Sequence, residues 1–339
     1  MGNPHPLTNP VWQWLVETRI SAWQATDTFG ASSFDAGPGW CFTRFGQSET
    51  TLPDGRTVFV AGEHEDYYDL DFFIYNDVVI VSRDANCEIL GYSIDAFPPT
   101  DFHSATLVGN RIVMIGCLGY PQDRRGGITQ VLSLDCSDWH IERIETHEQG
   151  PGWLHRHRAQ LSADGNSILV QGGQIDRCDD QMLVENIDDW RLWLNEWRWE
   201  RLTARRWPRF AVHREDRKML HLWEMRQALW SKSVGWDDFE PTVERLRRDL
   251  GDTPRLDILP ELYRPKLAHA VLPDDEAEHQ THRIRIGGVV VRYVEDSFTI
   301  QVTVEGELSA DDVARLRSDI AAKLEALEQA PIAYRDIEA

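Results

Sequence analysis

No Cys-x-x-Cys pair occurs in this chain of 339 residues, and its five cysteines, at 41, 87, 117, 136 and 178, are an odd number. That spacing excludes a zinc ribbon or a dithiol redox motif and leaves no complete disulfide framework, so reduced thiols and a cytoplasmic location are expected. No apolar run approaches the roughly 20 residues that cross a bilayer, and the start Met-Gly-Asn-Pro-His-Pro lacks the charged and apolar regions of a secretory leader. Positive charge is scarce: 35 Lys and Arg stand against 56 Asp and Glu, for a net charge of -21. Such a field repels phosphates and anionic headgroups, so neither direct nucleic-acid binding nor membrane binding is expected. The signatures GxSxG, Walker A, GxGxxG, HExxH and DFG do not occur in their required contexts, so no local catalytic motif and no cofactor are expected.

What is present is bulk to bury: 42% hydrophobic residues and 14 Trp. The stretch from Pro10 to Gln24 puts Val11, Leu15, Val16, Ile20 and Trp23 on one helical face behind an Asn9 cap, and a Gly/Ser-containing loop then runs to Gly39. From Gly39 to about Leu202 the pattern changes to apolar runs of four to six residues separated by Asp54-Gly55, Gly109-Asn110 and Asp164-Gly165, which is the pattern of strands and hairpins.

Three stretches resemble one another at a spacing of about 55 residues. Phe45-Gly46-Gln47-Ser48 leads through its turn to Val58–Gly62, Phe102–Leu107 leads to Ile112–Gly116, and His157–Leu161 leads to Ile168–Gly173. Two units continue with a second hairpin sharing the wording W-x-x-E-R-[IL], at Trp139–Ile144 and Trp197–Leu202. A hydrophobic strand ending in a glycine pair, with a Trp on the following outer hairpin, resembles the kelch repeat. Gly172-Gly173 fits it in full, Gly116-Cys117 and Gly62-Glu63 keep one glycine, and a fourth stretch, Phe210–His213 with Met219–Trp223, keeps none. The resemblance implies a mainly β fold: a kelch-like β-propeller, complete or partial, over 40–230. An N-terminal helix and loop over 1–39 precede it, a helical and linker segment over 231–282 follows, and a small C-terminal ββα module spans 283–339.

In that module Arg283–Tyr293 and Phe298–Glu305 read as two strands. Ser309 then caps a helix with Val313, Leu316, Ile320, Leu324 and Leu327 on one face.

Candidate chemistry is sparse. His155 and His157 alternate as strand residues do, so they could present two imidazoles, but third and fourth ligands are missing and no metal is expected. The eight Trp between 190 and 236 serve packing or contact. The stretch after the first glycine holds Glu63, Glu65, Asp66, Asp69 and Asp71, and with Trp153 and His155 from a later loop it forms the expected partner-binding set, charge beside aromatic anchors. The expectation is a non-catalytic protein-binding module for a basic protein partner, such as an immunity protein that neutralises a toxin. The alternative is a hydrolase or isomerase with carboxylates and His in a propeller channel.

Overall fold

The computed structural model describes residues 2–20, 28, 40–66, 69–178, 183–235, 239–273 and 281–338. It is mainly β, with small antiparallel sheets and few helices, and it divides into two compact units, Met1–Ala204 and Arg205–Ala339.

In the first unit each repeat is a four-stranded antiparallel meander. The first sheet holds β2 (Ser48–Thr51), β3 (Thr57–Val60), β6 (Asp77–Val81) and β7 (Cys87–Gly91), with β1 (His5–Leu7) added outside β7. Between β3 and β6 lies a hairpin of β4 (Glu63–Asp66) and β5 (Asp69–Ile74). The second sheet runs through β8 (Ser104–Val108), β9 (Arg111–Ile115), β10 (Val131–Asp135) and β11 (Ile141–Arg143). A small sheet contains β12 (Trp153–His155), β15 (Gln174–Asp176) and β16 (Leu183–Glu185). The third large sheet is built from β13 (Arg158–Leu161), β14 (Ser167–Gln171), β17 (Trp190–Trp193) and β18 (Arg198–Arg201).

The sheets stack because period-two alternation gives each an apolar face. Val58, Val60, Val78 and Ile80 of the first meet Ile112, Met114, Leu132 and Leu134 of the second. The other face of the second sends Val113, Ile115 and Val131 against Ile168, Val170, Leu192 and Trp199 of the third. Each such side chain contributes roughly 1.5–3 kcal/mol by leaving water. The stack has different ends. Helix α1 (Pro10–Thr18), capped by the Asn9 carboxamide and Pro10, lays Leu15 and Val16 on Phe59, Val79 and Ile89, covering the far side of the first sheet. The far side of the third carries Arg191, Trp193 and Glu200, with Trp193 Nε1 donating to Glu200 at 2.8 Å. Three sheets so ended form no closed barrel. The expected helix through Gln24 ends at Thr18 with Arg19 in the left-handed region, and Trp23 lies outside the described residues.

The second unit corrects the expected boundaries. Phe210–His213, read as a weak fourth repeat, belongs to β19 (Arg209–Arg214), a central strand of a six-stranded sheet. Its other strands are β20 (Ala270–Leu272), β21 (Thr281–Ile286), β22 (Val289–Glu295), β23 (Thr299–Glu305) and β24 (Ile332–Asp336), in the order β20-β21-β22-β23-β19-β24. The division therefore falls at 204/205 rather than near 230 or 280. The segment 283–293, expected as one strand, is a hairpin turning at Gly287-Gly288, where Gly287 takes φ +58°. Helix α2 (Leu222–Val234) follows β19, α3 (Phe239–Leu250) lies in the segment expected to be helical and linker, and α4 (Ala310–Glu328) matches the expected helix with Ser309 as its cap. Leu316, Ile320, Leu324 and Leu327 of α4 pack on Phe210, Val212, Ile300 and Val302. Residues 274–280 of the expected linker segment lie outside the described residues.

A buried carboxylate ties this unit together. Glu328, 1% exposed, accepts from the backbone N–H groups of His221 (2.9 Å) and Leu222 (3.0 Å), orphan donors at the start of α2, and from Arg214 Nη1 at 3.2 Å. Glu328→Ala strands those donors and the guanidinium, and is expected to cost the second unit about 3–5 kcal/mol. Glu328→Gln, which keeps an acceptor, costs less. Urea unfolding of the full chain measures both.

Candidate functional site

The three sheets share one construction at the end where their first strands begin. Gly46, Phe102 and Arg156 all take left-handed φ, at 62°, 47° and 56°. Phe102 N–H donates to Gly46 O at 3.0 Å and Arg156 N–H to Phe102 O at 2.8 Å, so each sheet is stitched to its predecessor. The side chains stack in the same order. A Cβ on Gly46 would lie 2.8 Å from Phe102 Cγ, and the Arg156 guanidinium sits 3.9 Å above the Phe102 ring. One residue on, Ser48 Oγ and His103 Nε2 are hydrogen-bonded at 2.8 Å, as are Ser104 Oγ and His157 Nε2. His103 and His157 thus hold equivalent places in the second and third sheets, each bonded back across a seam to the sheet before it.

The glycine pairs belong to this seam. Gly62 N–H donates to Thr100 O and Cys117 N–H to Leu154 O, each at 2.9 Å, so Ala61-Gly62 is the counterpart of Gly116-Cys117 and Gly172-Gly173. The expected pairing through Gly62-Glu63 is thereby shifted by one residue. Ala61 adopts φ 49° where the other two sheets have Gly116 and Gly172.

From these pairs the second-to-third-strand connections leave: 61–76, 116–130 and 172–189. The opposite end of each sheet has only short turns, such as 52–56, 109–110 and 162–166. All of the partner-binding set lies at the elaborated end. Glu63 begins β4 and exchanges backbone hydrogen bonds with Phe45, but at 8% exposure it is a buried carboxylate rather than a surface charge. Glu65, Asp66, Asp69 and Asp71 lie on the β4–β5 hairpin, and their side chains are outside the described residues. Trp153 is buried, its indole Nε1 donating to Leu118 O at 2.9 Å, and His155 is fully buried. Neither can be an exposed anchor. Both sit on a three-residue strand covered by 116–119 and by β15, context that the local sequence does not carry.

The His155/His157 pair is not a strand pair either. The chain turns at Arg156, so that His155 belongs to β12 and His157 leads into β13, whose partners are β15 and β14. Burial holds all three histidines neutral. It takes His103 down to about 4 and His157 down to about 3, and it takes His155 well below the ordinary value, with Arg156, Arg124 and His157 adding repulsion. Among the described residues no group of three or more His, Cys, Asp or Glu is arranged to hold a metal ion.

Residues that the sequence reading missed lie beside these. Asp101 is fully buried; its Oδ1 accepts from Gly119 N–H at 2.6 Å and its Oδ2 has no partner. Burial pushes the Cys117 thiol beside it far up, with Asp101 adding to the shift. Arg156 loses basicity to desolvation, which the Glu63 and Asp101 carboxylates oppose. Arg44 reaches Asp77 through its two terminal guanidinium nitrogens, at 2.5 and 2.9 Å, and Arg124 pairs with Asp176 at 2.9 Å. The signal for Asp101 was its register: it stands one residue before Phe102, as His155 stands before Arg156 and Phe45 before Gly46.

No protein-family model matches this chain, and no curated protein matches it. Among solved structures it is similar to one described as "Structure of YjhT", at 11% identity over 52% of this chain and 74% of that one, with a TM-score of 0.28. Among the described residues no helix is long and apolar enough to cross a membrane.

Proposed function

We propose that the chain is a non-catalytic recognition protein whose N-terminal unit offers an acidic face to a basic protein partner, its three sheets acting as kelch-like blades of a complete or partial propeller. One observation carries this reading: the two ends of the stacked sheets are built differently. Tight turns close one end, and three long connections crowd the other, the arrangement by which a rigid scaffold displays variable loops. The charge of those connections is lopsided. In sequence, Glu65, Asp66, Asp69 and Asp71 fall in the first connection, Asp123 in the second and Asp179, Asp180 and Asp189 in the third, against Arg124, Arg125 and Arg177; Asp176, Glu185 and Asp188 of the third are buried and do not count toward the face. Neutralisation of a basic toxin by covering it is the sharpest form of this reading. For the alternative, a hydrolase or isomerase with carboxylates and His, the histidines at 103, 155 and 157 are not open to substrate, being buried in or beside the seams.

Charge complementarity acts mainly on the association rate and weakens with salt. The test is capture by the full chain from its native cells, followed by binding kinetics with the captured protein at low and high ionic strength. Reversing Glu65, Asp66, Asp69 and Asp71 together is expected to slow association by about tenfold or more and to flatten its salt dependence. A captured partner that is itself acidic, or association indifferent to both salt and the reversal, would defeat the proposal.

A further inference from the structure

The last strand of the second unit's sheet is an edge with a particular geometry. β24 pairs with β19 in the register Phe210↔Asp336 to Arg214↔Ile332. The flanking bonds, Glu215 N–H to Pro331 O at 2.9 Å and Ile337 N–H to Arg209 O at 3.0 Å, place the odd-numbered residues of β24 in the hydrogen-bonded pairs. By the alternation of an antiparallel ladder, Ile332, Tyr334 and Asp336 then aim their N–H and C=O groups away from β19. β24 ends the sheet among the described residues. Such an edge is a template for a further strand, and proteins usually shield it.

A groove runs beside the edge on the helical side of the sheet. About 520 Å³ in volume, it lies between α4 and Tyr334 and is lined by Leu308, Ala310, Val313, Ala314 and Ser318. Tyr334 is 54% exposed, an aromatic ring standing over open space on an edge strand. Arg317 lies between the Phe210 and Tyr334 rings, 4.8 and 5.0 Å from their centroids, and pairs with Asp336, so local charge is balanced in a chain of net -21. Ala310, Ala314 and Ser318 are exposed at four-residue spacing, a row on α4 with little side-chain bulk.

We propose that β24 pairs antiparallel with β24 of a second copy of this chain, joining two six-stranded sheets across a two-fold axis at Tyr334. The outward-aimed set is symmetric about that residue. Tyr334 faces Tyr334, Ile332 faces Asp336, and Ala333 faces Arg335, so no like charges stand opposite each other. On the helical side the two Tyr334 rings fill the paired grooves. The small residues of α4 let the two helices approach at the 8–10 Å of ordinary helix packing, a general value for such contacts.

Sedimentation of the full chain over a wide dilution series tests this. Tyr334→Pro removes only an outward-aimed N–H and the aromatic ring, and Ala314→Glu fills the groove with a charge. Each is expected to weaken dimerisation by roughly 30-fold or more, the loss typical of a buried aromatic hot spot. Phe298→Lys, in the exposed β22–β23 turn, serves as the control and leaves dimerisation unchanged. Urea unfolding accompanies each variant, and if Tyr334→Pro fails to fold, Ala314→Glu decides. A wild-type chain that stays monomeric at every concentration, including one that carries a foreign peptide on this edge, overturns the proposal. So does a dimer that survives both substitutions.

Discussion

Gly116→Ala is expected to destabilise the N-terminal unit by more than about 3 kcal/mol, whereas Gly109→Ala, also at positive φ, costs about 1 kcal/mol. The backbone penalty is similar at the two sites, φ +75° and +60°. Space is what separates them. A Cβ on Gly116 would lie 2.2 Å from the Leu154 carbonyl oxygen and 2.8 Å from His157 Cε1, while one on Gly109 meets nothing within 4 Å. That carbonyl cannot retreat without losing its bond to Cys117 N–H at 2.9 Å, and His157 cannot retreat without leaving Ser104. A single methyl group therefore opens the seam between the second and third sheets and uncovers the contact of Ile115 and Val131 with Ile168 and Val170. Gly173→Ala should behave alike, since its Cβ would lie 2.4 Å from His155 O. Urea unfolding followed by tryptophan fluorescence checks the series, and equal costs at 109 and 116 would show that the sheets can slide apart freely.

The contrast between these glycines marks what the sequence could and could not disclose. Hairpin positions were legible because Asp54-Gly55, Gly109-Asn110 and Asp164-Gly165 are local turn chemistry flanked by alternating apolar residues, and all three fall on turns. The stitch through 46, 102 and 156 was not, because only the first of its three left-handed positions is a glycine. At Phe102 and Arg156 the same backbone conformation carries bulky side chains, which local propensity places elsewhere. Trp139 and Trp197 are similar cases: the shared W-x-x-E-R wording located the outer hairpins, yet both tryptophans sit in left-handed turns just before their strands.

Phe210–His213 shows the other limit. Its apolar pattern equals that of the repeats, and what assigns it to the second unit is pairing with β23 and β24, strands distant in the chain. For the candidate site, the acidic run at 63–71 was visible as composition. The burial of Trp153 and His155 depends on segments 116–119 and 174–176 folding over them, which no periodicity within 153–155 encodes.

Acidification from pH 7 toward pH 5 is expected to destabilise the first unit while its carboxylates are still largely ionised. His103 and His157 are held at about 4 and about 3 in the folded chain, against 6.5 for an unhindered imidazole, chiefly because burial disfavours the charged ring. In each case Nε2 is engaged with a serine and Nδ1 is buried without a partner, so an added proton would place an unsolvated charge inside a seam. The neighbours do not help: His103 repels a charge on His157, while Arg156 and Arg124 repel one on His155. Below 6.5 the unfolded chain binds protons that the folded chain refuses, so stability is full above 6.5 and falls with pH until the folded values are reached. The slope approaches about 1.4 kcal/mol per pH unit for each histidine, so on the order of 3–4 kcal/mol is lost from the pair by pH 5, with His155 adding to it in the same direction. Replacing both His103 and His157 by Gln, which retains a side-chain donor for each serine, removes their titration and should leave a shallower decline. The measurement is the urea midpoint of wild type and double variant at pH 7 and pH 5. Identical declines would mean that these rings accept protons without leaving the seam, and the seam would then be no barrier to acid.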